Sequence, residues 1–208
     1  MASFTYTQYS YAVSVTISGL TSGNKCRVFV RLASDTTNTT VDQTITATST
    51  SLTKVFSGLL PATNYVMNVQ IDGGSWLGSV SFTTGSAVSA WSWSKSNGSA
   101  TAAQTSKFYS VLIGGAQTSG NLSYLVWNDL VDKVHSVLYA YGLSWDSTYA
   151  SKDNTKVKAG STLSAAIYNS LRNNMNRIKA TNLPVGTKNS QVYGKYITGL
   201  ADAINNAI

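Results

Sequence analysis

Glutamate is absent from this chain of 208 residues: all 8 acidic residues are aspartates, and cysteine and histidine occur once each. A single cysteine excludes an internal disulfide and any site built from several thiolates. A single histidine, His135, excludes a histidine metal cluster and leaves one imidazole to act as a general base. Charged residues are sparse at 11%, yet the apolar content of 43% is too high for a disordered chain. Solubility therefore falls to serine, threonine and asparagine, unlike the Glu/Lys-rich surface common on cytosolic enzymes. The N-terminus lacks the basic, apolar and small-residue order of a signal peptide, and no apolar run has bilayer length. Synthesis in a cytoplasm and no membrane partner are the expectations.

The net charge of +7 is uneven. Residues 1–85 carry four Lys and Arg against three Asp, and residues 86–208 carry eleven against five. The excess is scattered singly, which reads as a solvated face and not as a nucleic-acid footprint.

The first 85 residues read as strands. Phe4 to Tyr11 is aromatic and Thr-rich, Val13, Val15 and Ile17 alternate with polar residues, and Gly19 to Asn24 supplies a turn. Cys26, Val28, Val30 and Leu32 alternate cleanly, with Arg27 and Arg31 on the opposite face, so Cys26 is a small core residue. Thr36 to Thr53 is β-prone but weakly patterned. Asp72-Gly73-Gly74 signals a hairpin between Tyr65–Ile71 and Gly78–Thr84. Residues 58–65, Gly-Leu-Leu-Pro-Ala-Thr-Asn-Tyr, stop a strand, turn at Pro61 and place Tyr65 at the start of the next alternation. A tyrosine at such a corner buries its ring and returns its hydroxyl to a loop amide. This pattern resembles the E–F corner of fibronectin type III domains, and Val80–Thr84 resembles their closing strand. The resemblance implies a β-sandwich of about seven strands. Met67 stands where an antibody-type domain would carry its second cysteine.

Gly85 and Ser86 end that pattern. A polar segment, residues 86–120, holds Trp91-Ser92-Trp93; because tryptophan is costly to leave in water, it reads as a docking strand and not a free tether. From Asn121 the apolar period lengthens to that of helices. Leu122, Val126, Leu130, Val134, Val137 and Tyr141 form one stripe, ended by Gly142. Leu163, Ile167, Leu171, Met175 and Ile178 form a second, begun after Gly160-Ser161-Thr162, and Val192, Tyr196, Leu200, Ile204 and Ile208 form a third. The expected fold class is thus multidomain: an N-terminal all-β fibronectin type III-like sandwich (1–85) plus a C-terminal, mostly α small helical bundle (121–208).

An internal repeat links the first two helices. Leu122-Ser123-x-x-Val126-Trp127-Asn128-x-Leu130 aligns with Leu163-Ser164-x-x-Ile167-Tyr168-Asn169-x-Leu171 at an offset of 41 residues. The serines suit helix starts, and the aromatic–Asn pairs sit beside the stripe, where an amide reaches a neighbouring loop backbone. Trp91 to Ser96, Leu122 to Asn128 and Ala159 to Asn169 resemble segments of structural proteins of bacteriophages and prophages, where they often follow an immunoglobulin-like or fibronectin-like domain. The resemblance spans roughly residues 88–178. It implies a virion setting, with other virion proteins or further copies of the chain as partners.

Catalytic patterns are hard to assemble. His135 lies among valines without an acid–nucleophile pattern, and reads as a half-exposed structural histidine. Asp129 and Asp132 share one helix face, whereas glycosidase carboxylates flank the scissile bond from both sides; a solvated face is expected. Gly73-Gly74 and Gly114-Gly115 lack the rest of a phosphate loop. Asn38-Thr39-Thr40 and Asn97-Gly98-Ser99 match glycosylation triplets that recur by chance in so Asn/Ser/Thr-rich a chain. Neither metal nor cofactor is expected. Aromatics remain as contact candidates: Trp76, placed at a hairpin tip, with Tyr6 and Tyr9, although Phe4 and Tyr6 also suit the core of a first strand. The expected function is a non-enzymatic virion protein, a capsid decoration or a tail or fibre component. One domain docks on the particle and the other projects toward a host-surface glycan or a neighbouring subunit. The alternative is a carbohydrate-binding adhesion module of a bacterial surface protein.

Overall fold

A computed structural model describes residues 1–92, 124–158, 163–187 and 194–208. The chain divides into two compact units, Met1–Ala87 with Ala140–Gly142, and Val88–Tyr139 with Leu143–Ile208.

The first unit is a β-sandwich of seven strands. They are β1 (Ser3–Gln8), β2 (Ala12–Ser18), β3 (Lys25–Leu32), β4 (Val41–Thr46), β5 (Ser51–Ser57), β6 (Asn64–Ile71) and β7 (Trp76–Thr83). All pairings are antiparallel, in a three-stranded sheet ordered β1-β2-β5 and a four-stranded sheet ordered β4-β3-β6-β7. Period-two alternation sends Val13, Val15 and Ile17 of β2 inward against Cys26, Val28 and Val30 of β3 and Tyr65, Met67 and Val69 of β6. The weakly patterned Thr-rich stretch supplies β4 and β5. The first strand ends at Gln8, before the expected Tyr11, which is buried in the turn that follows.

Two devices fix the connections. Between β6 and β7, Asp72 and Gly73 take φ of 51° and 71°, and the Gly74 N–H donates to the Ile71 carbonyl at 2.9 Å. That is the doubly left-handed turn whose twist matches a hairpin. The Asp72 carboxylate is held there by the Asn24 amide and the Lys25 N–H, each at 2.6 Å. At the corner between β5 and β6 the Leu60 N–H donates to the Tyr65 hydroxyl at 2.8 Å, while the Tyr65 ring stacks on Phe82 at 5.7 Å. The buried Thr84 hydroxyl donates to the Leu60 carbonyl at 2.6 Å and accepts from the Thr63 N–H at 3.0 Å. The corner is therefore cross-linked from two strands.

The second unit contains, among the described residues, four helices: α1 (Tyr124–Ala140), α2 (Lys152–Thr155), α3 (Ala165–Asn176) and α4 (Gly194–Asn205). Three helices were expected; α2 is a single turn capped by the Ser151 hydroxyl, too short to leave a periodic signal. Leu122, Ser123, Trp93, Gly160-Ser161-Thr162 and Val192 lie outside the described residues. The α1 face is wider than one stripe, burying Trp127, Val131 and Leu138 as well as Val126, Leu130, Val134 and Val137. It ends where Gly142 takes φ of 70° and the Leu143 N–H donates back to the Leu138 carbonyl at 2.9 Å. Ser164 caps α3, its hydroxyl accepting from the Ile167 N–H.

Asparagine side chains hold irregular segments that flank these helices. Asn128 donates to the Val157 carbonyl at 2.9 Å and accepts from the Val157 N–H at 2.8 Å. Asn169 makes the same two-way pairing with Gly186 at 2.7 Å and 2.7 Å. Asn174 makes it with Asp146 at 2.9 Å and 2.7 Å, and Asn205 with Trp91 at 3.0 Å and 2.7 Å. An amide is the side chain that can do this, because it presents one donor and one acceptor side by side.

The aromatic neighbour adds a third bond in each aromatic–Asn pair. The Trp127 indole N–H donates to the Thr155 carbonyl at 2.8 Å, and the Tyr168 hydroxyl to the Pro184 carbonyl at 3.3 Å. In both cases the aromatic bonds the residue two before the one its asparagine clasps. The next helix starts eight residues later, at Ala165 after Val157 and at Gly194 after Gly186. The amides thus reach neighbouring loop backbone as expected, and the pairs are more buried than a position beside the stripe implies: Trp127 and Tyr168 are almost wholly buried, and Asn169 is buried with them. A Cβ at Gly186 would lie 3.1 Å from the Tyr168 ring and 3.3 Å from the Asn169 amide oxygen, so a larger residue there would press on the second clasp.

Two outcomes follow from these contacts. Tyr65→Phe costs about 0.5–1.5 kcal/mol in urea unfolding, and no more, because the exposed Leu60 region lets water replace the lost bond. Asn174→Asp costs about 3 kcal/mol at neutral pH, since it removes a donor and buries a charge against the Asp146 and Ser170 carbonyls. Burial raises the pKa of the new carboxyl, so the folded state binds its proton more tightly and part of that loss is recovered as pH falls. Urea titrations at pH 5 and pH 8 read the difference.

Candidate functional site

The outer face of the four-stranded sheet gathers chemistry that the alternation rule places there. One row across the strands runs Asp42, Phe29, Asn68 and Ser79; the next runs Thr44, Arg27 and Gln70 to Trp76. Trp76 does not stand at a hairpin tip. β7 begins at Trp76, two residues before the expected Gly78, because a register shift at Val69/Gln70 brings Trp76 opposite Gln70. Its indole lies 6.3 Å from the Phe29 ring, the Arg27 guanidinium sits 5.9 Å from its centre, and 45% of its surface stays open.

Arg27 is held by two bonds to Asp42, Nε to Oδ1 at 2.7 Å and a terminal nitrogen to Oδ2 at 2.6 Å. The Arg27 hydrogen bond holds the Asp42 carboxyl below the usual aspartate range. The pair is forked, planar and electrically neutral as a unit. Beside it the Asn68 amide makes no side-chain hydrogen bond among the described residues.

The other contact candidates separate from Trp76. Tyr6 faces inward, half-buried, with its ring 5.8 Å from Phe82, so it belongs to the sandwich core and not to an open surface. Tyr9 is half-buried in the turn after β1, where its carbonyl accepts from the Gly85 N–H. Pro61 and Tyr65 build the corner described above. Trp127, Asn128, Tyr168 and Asn169 hold loops.

Groups with catalytic potential in the second unit have other partners. His135 is half-buried, its ring 6.4 Å from the Trp145 indole. Of the two aspartates expected on a solvated face, Asp132 keeps a part-exposed carboxylate and Asp129 is the more buried. Asp129 accepts from the Trp91 indole at 2.6 Å, and burial raises its carboxyl pKa against the opposing pull of that bond. Burial pushes Asp132 upward too, but Lys156 at 2.7 Å and Lys152 at 2.9 Å outweigh it and leave the carboxyl low. Lys133, on the same helix, donates to the Ser89 carbonyl, and burial lowers its pKa. Trp91, buried and clasped by Asn205, thus docks residues 88–92 within the second unit. Burial also pushes the Tyr168 hydroxyl up to about 12, keeping it a neutral donor. Among the described residues no group of three His, Cys, Asp or Glu side chains is arranged to hold a metal, and no helix is long and apolar enough to cross a membrane.

No protein-family model matches the chain, and no curated protein does. Solved structures similar to it include the sensor domain of the anti-sigma factor RsgI4 of Pseudobacteroides cellulosolvens, 14% identical, covering 41% of this chain and 76% of that one at a TM-score of 0.35. A fibronectin type III domain of human contactin 1 is 17% identical over 44% of this chain and 79% of that one, with a TM-score of 0.33. The third such domain of human KIAA0343 protein is 16% identical over 44% and 84%, with a TM-score of 0.30. The N-terminal unit is an all-β sandwich with fibronectin type III-like neighbours, and its own strand order defines it.

The Arg27–Asp42 pair gives a pH outcome. A depressed Asp42 pKa means that the pair stays charged as pH falls past the ordinary aspartate range and breaks only in more acid solution. NMR titration is expected to show the Trp76 indole resonance following that same step. Arg27→Gln moves the midpoint back up toward the ordinary aspartate value.

Proposed function

We propose that this chain is a non-catalytic contact module, in which a rigid sandwich presents one sheet face and a helical unit serves assembly. The observation that carries this reading is the outer sheet face itself. A half-exposed tryptophan is held in place by an aromatic ring and a forked ion pair on paired strands, which is the construction of a pre-organised contact surface. The module works without a cofactor, and weak contacts gain strength through many copies.

For its setting we propose a bacteriophage particle, where the chain is a capsid decoration or a tail or fibre component beside other virion proteins. The support for that setting is the resemblance carried by Trp91 to Ser96, Leu122 to Asn128 and Ala159 to Asn169; the sheet face supports contact in any setting. A second reading, an adhesion module on a bacterial surface, draws on the same exposed aromatic face. Mass spectrometry of purified particles separates the two. The chain is expected at a fixed stoichiometry to the main structural proteins; its absence from particles, with presence on the bacterial surface, replaces the first reading by the second.

A further inference from the structure

The outer face of the β4-β3-β6-β7 sheet combines three features seldom needed together for structure alone. Two aromatic rings, Phe29 and Trp76, meet on adjacent rows, and Trp76 keeps 45% of its surface in solvent. On the row beside it the Asn68 amide, with no side-chain hydrogen bond among the described residues, lies between Phe29 on one strand and the exposed Ser79 on the next. The cation in contact with Trp76, Arg27, is already paired with Asp42 through two short bonds, while Lys25 and Arg31 hold the flanking outward positions of β3.

We infer that this face is a binding platform for neutral glycans, with a pyranose ring laid on Trp76 and its hydroxyls paired by Asn68 and Ser79. A pyranose has an apolar C–H face and a rim of hydroxyls. It therefore needs an exposed ring beside groups that both donate and accept, which an amide and a hydroxyl supply. Four strands span about 14 Å, room for two or three sugar units. Beside Trp76 itself an incoming carboxylate would meet Asp42 and compete for a guanidinium that is already forked, so this position favours a neutral sugar. This inference deepens the contact-module reading and rests on it for the many copies that turn weak sugar binding into adhesion.

The test uses the full chain on an array of neutral oligosaccharides and their uronate- or sialate-containing counterparts, followed by NMR titration with the neutral probes. Neutral oligosaccharides are expected to bind weakly, with shifts confined to β3, β6 and β7. Trp76→Ala and Asn68→Ala each weaken binding about tenfold, the loss of one well-placed contact residue. Trp76→Phe keeps part of it, and Ser14→Ala on the other sheet changes nothing. Circular dichroism of each variant checks that the sandwich remains folded. Binding of acidic glycans alone, shifts elsewhere on the chain, unaltered binding by folded Trp76→Ala, or no glycan binding at all overturns the inference. Particle mass spectrometry fails or succeeds independently. A chain present on virions that ignores every oligosaccharide sinks the glycan platform and leaves the display setting intact.

Discussion

Pairing between an asparagine amide and both backbone groups of one loop residue is the constraint on which the helical unit depends. Irregular segments must still find partners for their N–H and C=O groups where they lie against helices. Four asparagines solve this at Trp91, Asp146, Val157 and Gly186. Each is one side chain making two bonds of opposite sense, so it fixes direction as well as position. A hydroxyl cannot span both groups, and a carboxylate lacks the donor. The asparagine content of the chain thus has a structural use beyond solubility.

The sandwich applies a related logic at its corner. Tyr65 and Thr84 reach back from β6 and the end of β7 to the same residue, Leu60, one taking its N–H and the other its carbonyl. Here too a backbone with no regular ladder is satisfied by side chains from strands that are themselves rigid. Both units therefore set irregular segments with polar side chains, while apolar packing sets the regular elements. The exposed Trp76 face lies on paired strands, with Trp76 itself at the register shift between β6 and β7.

Much of the sandwich was legible because its code is local. Alternation fixes which of Cys26, Arg27, Val28 and Phe29 turn inward, and the Gly58 to Tyr65 run carries its corner within eight residues. Trp76 was misplaced by two residues because a register shift between paired strands leaves no mark in either strand alone. The helical unit was less legible. Apolar periodicity treats Asn169 and Asn174 as surface residues, yet both are buried because each has its two bonds. Asp129 was read as solvated since its partner, Trp91, lies 38 positions away in the chain. The face that unites Arg27, Asn68 and Trp76 likewise exists only once strand order is known, although each residue sat at an outward position of its own strand.

The asparagine clasps touch only main-chain atoms of the residues they hold. At Val157 nothing in that grip reads the side chain, whereas Trp91 and Asp146 are held through their side chains as well, by Asp129 and by Thr148 and Asn173. A main-chain grip of the Val157 kind leaves the side chain there open to mutation while the course of the loop stays put.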